Sequence, residues 1–250
     1  MYAVLQMSLE PPISREVLEA AVMVTQQLAK PDCARLQRQS IGIVAGNLSQ
    51  DDALALQTAF RDRGVETEVV SETDLPSLAT PHHPQAFTVA AEGVTVTDYT
   101  GQSTLLPMST FVFAAGGHVK HLVSRPCQKL EWVEKPAGDR VRSEVALVIE
   151  QQLKDVLEFR IEFYFAQAPF RFQCILDEKA IVRANGRVLK LRDQSQLDSL
   201  LLEFANTFPV DQTNLGIKKV AAGEDFVYPS VHAFEAEIIW SLYQLARNTK

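Results

Sequence analysis

The residues best suited to bind a metal ion lie in one short stretch, as His118, His121 and Cys127. Imidazole nitrogen and thiolate sulfur are ligands that zinc prefers. The surrounding sequence is typical of a β-strand, in which side chains alternate between two faces, so His118 is expected to point away from His121 and Cys127. We keep the three as metal candidates, favour a structural histidine at His121, and predict no cofactor.

Two further patterns could bind an ion. The stretch GIVAGNLS places glycines between a predicted strand and a helix N-terminus, where proteins often bind anions. Asp51 and Asp52 follow in the first helical turn, and their carboxylates would repel a phosphate. His232 and Glu235 stand three residues apart in a predicted helix, a spacing that some metal sites use. No second such pair accompanies them, so the sequence favours an ordinary surface at both positions.

Nucleophilic chemistry has one candidate, Cys127, which lies between Arg125 and Lys129. Nearby cations can lower the pKa of a thiol, but catalysis would also need a positioned histidine. The sequence has no G-x-S-x-G motif either. These observations favour a protein that is not an enzyme, and they leave open an enzyme whose site is assembled from distant residues.

The most basic run of the chain is KAIVRANGRVLKLR, residues 179–192. Asn185-Gly186 predicts a two-residue β-hairpin turn, because that turn needs positive φ at both positions. The turn fixes the register of the hairpin. One face then collects apolar residues for the core, and the other is a basic face made of Lys179, Arg183, Lys190 and Arg192. This basic face is either a solvated surface or a docking site for an acidic partner, including a second copy of the chain.

The first 75 residues predict a small α/β unit with the order βαβαβ. Strands are expected over residues 2–9, 40–46 and 65–70. One helix is expected from Ser14 to Pro31, and a second follows Ser49, which with Asp52 resembles a capping box. By default the crossovers would be right-handed. Prolines in residues 76–85 predict a linker.

Residues 86–250 predict a second domain rich in antiparallel strands. Turns at Glu92-Gly93 and Thr100-Gly101 divide its first part into a meander. Helices are expected over 195–206 and 230–247, the second with a clear amphipathic pattern. Residues 135–157 stay ambiguous, because EVALVIEQQLKDVL satisfies a helical period and its β-branched start also suits a strand.

The order of elements carries two resemblances. Residues 86–207 resemble a pleckstrin-homology-like domain, in which antiparallel strands are closed by a helix, and this implies a binding or scaffolding module. Residues 1–75 are similar to small regulatory α/β modules of the ferredoxin-like kind, and this resemblance carries over no ligand residue. The fold class expected for the whole chain is therefore α+β, a βαβαβ unit followed by a strand-rich domain with two C-terminal helices.

Composition limits the classes of function. The 250 residues carry a net charge of −7, which argues against general nucleic-acid binding. Three widely spaced cysteines indicate a reducing compartment, and no apolar run is long enough for a membrane span, so we expect a cytoplasmic protein. The leading expectation is a non-catalytic binding or regulatory protein that acts through protein partners or self-association. The alternative is a small-molecule-sensing module that uses the α/β unit.

Overall fold

A computed structural model describes residues 1–29, 32–137, 140–168, 170–177 and 180–248. The described residues form helices and several β-sheets, so the predicted α+β class is confirmed. Within the described residues, no helix is long and apolar enough to cross a membrane.

The first sheet has β1 (Tyr2–Gln6) at its centre, between β2 (Ile43–Leu48) and β3 (Thr67–Ser71). Both outer strands are antiparallel to β1. The three expected strands occur in the expected sequence order, with two helices and not one between β1 and β2. The expected crossover from β1 to β2 is wrong because these strands are antiparallel. The two outer strands run in the same direction and are joined through a helix, with β1 inserted between them.

The helices of this unit follow local capping chemistry. Helix α1 (Arg15–Val22) begins after Ser14, whose side chain accepts a hydrogen bond from the Val17 amide. It ends at Val22, well before Pro31, and a separate short helix α2 (Asp32–Gln39) follows, so the single long helix predicted here is wrong. After Val22 the chain is held by the Asp52 side chain, which accepts a hydrogen bond from the Gln26 amide at 2.8 Å.

Helix α3 (Gln50–Arg61) confirms the second capping prediction. The Ser49 hydroxyl accepts a hydrogen bond from the Asp52 amide at 3.1 Å. Gly64 follows the helix with φ of 76°, a conformation that glycine adopts without strain. Apolar residues of α1, α2 and α3 cover one face of the first sheet.

The remainder of the chain builds two further sheets around a shared core. One has the strand order β11-β10-β4-β5-β6 and the other β12-β7-β8-β9. The first of these comprises β4 (Ala86–Ala90), β5 (Gly93–Thr97), β6 (Ser103–Pro107), β10 (Ile181–Ala184) and β11 (Arg187–Lys190). The second comprises β7 (Phe111–Ala137), β8 (Arg140–Phe165), β9 (Arg171–Leu176) and β12 (Val227–Tyr228). Helix α4 (Gln194–Thr207) and helix α5 (Leu215–Ala221) pack into the same core.

The meander is confirmed, since β4, β5 and β6 pair antiparallel in sequence order. The first turn lies one residue earlier than expected, at Ala91-Glu92, because Gly93 pairs with Ala90, and the second turn includes Thr100-Gly101 as expected. Two pairings depart from the wholly antiparallel arrangement that we expected. Strand β10 lies parallel to β4, and β12 lies parallel to β7. Both parallel pairings join strands that are distant in sequence. Strand β10 joins the sheet of β4 after β7, β8 and β9 have formed the other sheet, and β12 joins the sheet of β7 after helix α5.

Strands β7 and β8 form one long antiparallel hairpin whose register runs from Phe111↔Phe165 to Ala137↔Arg140. The strand interpretation therefore holds for residues 135–157 wherever they are described. Strand β12 accompanies β7 only at His118 and Val119, and β9 accompanies β8 only from Phe159 onward. Beyond those points no described strand pairs with either outer edge of the hairpin.

The last helix, α6 (Val231–Asn248), connects the two halves of the chain. Its residues Phe234 and Ile238 pack on the β7–β8 sheet. Further along, Trp240 and Tyr243 pack on the face of the first sheet that α1 and α3 leave open. The Trp240 indole nitrogen also donates a hydrogen bond to the Gln6 carbonyl at 2.7 Å.

Candidate protein-interaction surface

The part of the hairpin without a third strand is a two-stranded ribbon. We define the ribbon as residues 120–130 of β7 with their partners 147–157 of β8, and both strands continue beyond it to the hairpin turn. At about 3.3 Å per residue, the unaccompanied hairpin from residue 120 to residue 137 is about 60 Å long. Isolated two-stranded hairpins are marginally stable in water, so the ribbon requires a further source of stability.

The register sorts the side chains of the ribbon onto two faces. Residues paired across antiparallel strands share a face, and neighbours along a strand alternate. The pairs Leu122↔Asp155 and Leu130↔Leu147 therefore belong to the same face. This face holds all the large apolar side chains that are exposed in the ribbon, and we call it the apolar ribbon face: Leu122, Leu130, Leu147, Ile149, Leu153 and Leu157.

The apolar ribbon face continues the inward side of the sheet. Phe159, Ile161 and Phe163 alternate along β8 and are fully buried in the core between the two sheets. The same alternation runs outward through Leu157 and Leu153, but there the packing layer has ended. Leu153 is consequently 73% exposed, compared with 0% for Phe159.

The middle of the apolar ribbon face is polar but uncharged. The Ser124 hydroxyl donates a hydrogen bond to the Gln151 side chain at 2.9 Å. Pro126 lies opposite Gln151 in the register, and Gln128 lies opposite Ile149. From this middle zone to Leu130, the described side chains on this face carry no charge. The charged residues Lys120 and Asp155 are confined to the base of the ribbon.

The opposite face of the ribbon is charged and internally paired. Lys129 and Glu150 form an ion pair of 2.7 Å across the two strands. At the base, the His121 Nδ1 atom lies 3.3 Å from the carboxylate of Glu158, and Lys154 is exposed. This face is an ordinary solvated surface, in contrast to the apolar ribbon face.

The metal candidates lie along β7 and not around one point. His118 is buried with its ring against Phe159, at a centroid distance of 4.9 Å. His121 belongs to the other face and is exposed, so the structural histidine predicted there is wrong and the buried histidine is His118. Cys127 follows His121 six residues later, about 20 Å along the strand. Among the described residues, no three His, Cys, Asp or Glu side chains lie close enough together to hold a metal ion.

The hairpin of the basic run has the predicted register, with Ile181↔Lys190 and Ala184↔Arg187. Asn185 and Gly186 have φ of 50° and 75°, as the predicted turn requires. Arg183 and Arg192 are exposed and Lys190 is half-buried, whereas Lys179 lies outside the described residues. No carboxylate of the described chain forms an ion pair with the three described cations of the basic face. Because β11 is an edge strand, its charges also discourage unwanted strand pairing.

A cleft brings together two patterns that the sequence offered separately. The end of β2, with Asn47 at φ of 59°, faces His232 and Glu235 of α6 across a cavity of about 590 Å³. The amide of Asn47 donates a hydrogen bond to the Glu72 carboxylate. A cavity of this volume is within the range of small-molecule sites, but its polar lining includes both acids and bases and does not define a ligand.

A buried charge cluster lies beneath α6, on the polar face of β8 and β9. The guanidinium of Arg171 donates to both carboxylate oxygens of Glu162, at 2.9 and 3.0 Å. Tyr164 and Gln173 also donate to Glu162, and burial raises the pKa of Tyr164. Since this buried carboxylate is fully hydrogen-bonded, the cluster has the character of a structural network.

Sequence reasoning missed the apolar ribbon face because residues 135–157 were ambiguous. Ile149, Leu153 and Leu157 recur every four residues, as in a helix, while Leu147 and Ile149 alternate as in a strand. The information that the sequence lacked is the pairing of this segment with β7, where Leu122 and Leu130 lie on the same face of the hairpin. Only the register of the hairpin shows that the two sets share one face.

A scan against protein-family models, a search of curated proteins and a search of solved structures each found no match to this chain. The resemblances to pleckstrin-homology-like and ferredoxin-like modules therefore stay predictions. Inferences about function depend on the geometry of the chain itself.

Proposed function

We propose that this chain is a non-catalytic protein-binding protein whose docking site is the apolar ribbon face. The observation that carries the proposal is the placement of six large apolar side chains on one face of a ribbon that no described element covers. Exposed apolar surface of this extent, bordered by polar residues, is characteristic of protein interaction sites.

The energetics favour a covered state of the ribbon. Fully burying one leucine or isoleucine side chain contributes about 1.5–3 kcal/mol. Leu130 and Leu153, at 74% and 73% exposure, obtain little of this in the isolated chain. A bound partner supplies the missing packing layer and stabilises the ribbon at the same time.

The test compares one substitution on each face. Leu153→Asp places a charge on the apolar ribbon face, and the control Gln152→Asp places the same charge next to it on the opposite face. Both positions are exposed, so neither change should disturb the fold. In quantitative co-purification from cells that express the tagged chain, Leu153→Asp should lose its specific partners and Gln152→Asp should keep them. An identical set of partners for the wild type and both variants would refute the proposal.

The basic face is a competing docking surface. Reversing charge with Arg183→Glu and Lys190→Glu should leave partners of the apolar ribbon face in place. Loss of the same partners on charge reversal, with none lost on Leu153→Asp, would assign docking to the basic face.

A second candidate function is small-molecule sensing, and the observation that favours it is the cleft beside Asn47, His232 and Glu235. A metabolite that binds there should raise the thermal unfolding temperature by several degrees. Filling the cleft with Ala236→Phe should abolish that rise, whereas Leu153→Asp should not affect it. A metabolite panel without any such shift would remove this candidate.

A further inference from the structure

We infer that the partner of the apolar ribbon face is a second copy of this chain, with the two ribbons packed face to face and running antiparallel. The inference rests on the proposed function and adds the identity of the partner. The arrangement of the side chains, the charge and the area of the apolar ribbon face support it.

Four of the six large apolar side chains of the apolar ribbon face are placed symmetrically about its middle. Leu122 and Leu153 lie on the body side of the Pro126↔Gln151 pair, and Leu130 and Ile149 lie at matching positions on the tip side. A twofold axis between two ribbons, perpendicular to their strands and passing beside Gln151, would place Leu122 over Leu130 of the other copy. The same axis would place Leu153 over Ile149 of the other copy, and Gln151 over Gln151.

Charge does not oppose this arrangement. Two copies that each carry a net charge of −7 repel one another over most of their surfaces. The described side chains from Ser124 to Leu130 and from Leu147 to Leu153 on the apolar ribbon face are uncharged. Asp155 of each copy would lie over Leu147 of the other copy at the edge of the contact, so no like charges meet. The ion pair between Lys129 and Glu150 stays on the outer, solvated faces.

The area is sufficient for a specific dimer. Each large apolar side chain offers about 100 Å² of surface for burial, so the five that are more than half exposed contribute on the order of 500 Å² per copy. Two copies together reach about 1,000 Å² before their polar neighbours are included, and specific interfaces begin at about this size. Edge-to-edge pairing of the ribbons would leave the apolar side chains in water, so face-to-face packing is favoured.

The experiment uses matched charges at the proposed axis. Gln151→Asp and Gln151→Lys each bring two like charges together in the dimer, and Gln152→Asp is the control on the outer face. Sedimentation equilibrium of each purified full chain, between about 1 and 100 µM, covers the weak end expected for standard-size interfaces. The wild type and Gln152→Asp should dimerise, and the dissociation constant of each Gln151 variant should rise at least about 10-fold.

Mixing the two Gln151 variants provides the specific readout. An equimolar mixture of Gln151→Asp and Gln151→Lys should form a heterodimer at least about 10-fold tighter than either variant alone. A wild type that is monomeric over the whole range would overturn the inference. The proposed function would survive that result if Leu153→Asp still lost other partners in co-purification. A dimer whose affinity does not respond to any Gln151 variant would overturn the antiparallel packing.

Discussion

At the scale of single residues, Glu237 and His118 are titratable groups in environments that disfavour their charge. Glu237 is fully buried, where it accepts hydrogen bonds from the Tyr228 hydroxyl and from the Leu215 amide. His118 is buried in the β7–β8 sheet, and neither ring nitrogen has a hydrogen-bond partner among the described residues. Both groups lie in the folded body and not in the ribbon, so their effects should appear in stability and not in association.

Burial raises the pKa of Glu237 from 4.5 to about 7. Because the folded-state pKa is the higher one, the stability linked to its protonation is complete below pH 4.5 and is lost as the pH rises through 7. Between pH 4 and pH 8 the free energy of unfolding should fall by about 3 kcal/mol relative to Glu237→Gln. Urea titrations of both proteins over this pH range measure the difference, and parallel pH profiles would contradict the prediction.

Burial lowers the pKa of His118 below its ordinary value of 6.5. The pH dependence is therefore opposite to that of Glu237. The stability linked to neutral His118 is complete above pH 6.5 and is lost as the pH falls through the folded-state pKa. His118→Phe keeps a ring against Phe159 and removes the ionisation. The wild type should therefore lose stability relative to this variant when thermal unfolding is measured at decreasing pH below 6.5. A constant difference between the two proteins would show that His118 does not ionise on unfolding.

At the scale of elements, the β10–β11 hairpin shows what local sequence can predict. Its turn residues Asn185 and Gly186 determine the backbone conformation, and the register follows from the turn alone. The ends of α3 were predictable for the same reason, because Ser49 and Gly64 act on their immediate neighbours. The β7–β8 ribbon was not predictable, because its pattern satisfies two periods and the pairing of distant residues decides between them.

Asn185 also connects its hairpin to the rest of the sheet. Its side-chain oxygen accepts a hydrogen bond from the Val89 amide at 2.8 Å, and its nitrogen donates to Glu203 at 2.6 Å. Asn185→Ala removes both bonds and places alanine at positive φ, so we expect destabilisation of about 2–3 kcal/mol. Chemical denaturation measures the change, with Asn185→Gly as the control that isolates the hydrogen bonds from the backbone. A loss below 0.5 kcal/mol for alanine, on the order of a neutral surface change, would contradict this role.

At the scale of the whole molecule, helix α6 packs against both predicted domains, residues 1–75 and residues 86–250. The predicted boundary at residues 76–85 marks a change in composition, but the last helix returns to cover the first sheet. Trp240 is the main contact, since its indole packs on that sheet and donates to Gln6. Composition and period could predict that α6 exists and is amphipathic, but they could not predict which sheet would receive each part of its apolar surface.

Trp240→Ala should therefore weaken the connection between the two regions. The loss of a large, partly buried side chain and its hydrogen bond should destabilise the chain by about 3 kcal/mol. Unfolding followed by circular dichroism should also change from one transition to two, as residues 1–75 lose their packing on α6. Val210→Ala, at a position 69% exposed, is the control and should change stability by less than about 0.5 kcal/mol. A single unshifted transition for Trp240→Ala would contradict the coupling.

In the proposed assembly, a partner covers one face of the ribbon and leaves the other in water. Gln151 and Gln152 are adjacent, exposed and on opposite faces, so nitroxide labels at these two positions, each in a Cys127→Ser background, report on each face separately. In the assembled protein, we expect the label at 151 to be immobilised and protected from a water-soluble relaxation agent, and the label at 152 to be mobile and accessible. Equal mobility and equal accessibility at the two positions would contradict this expectation.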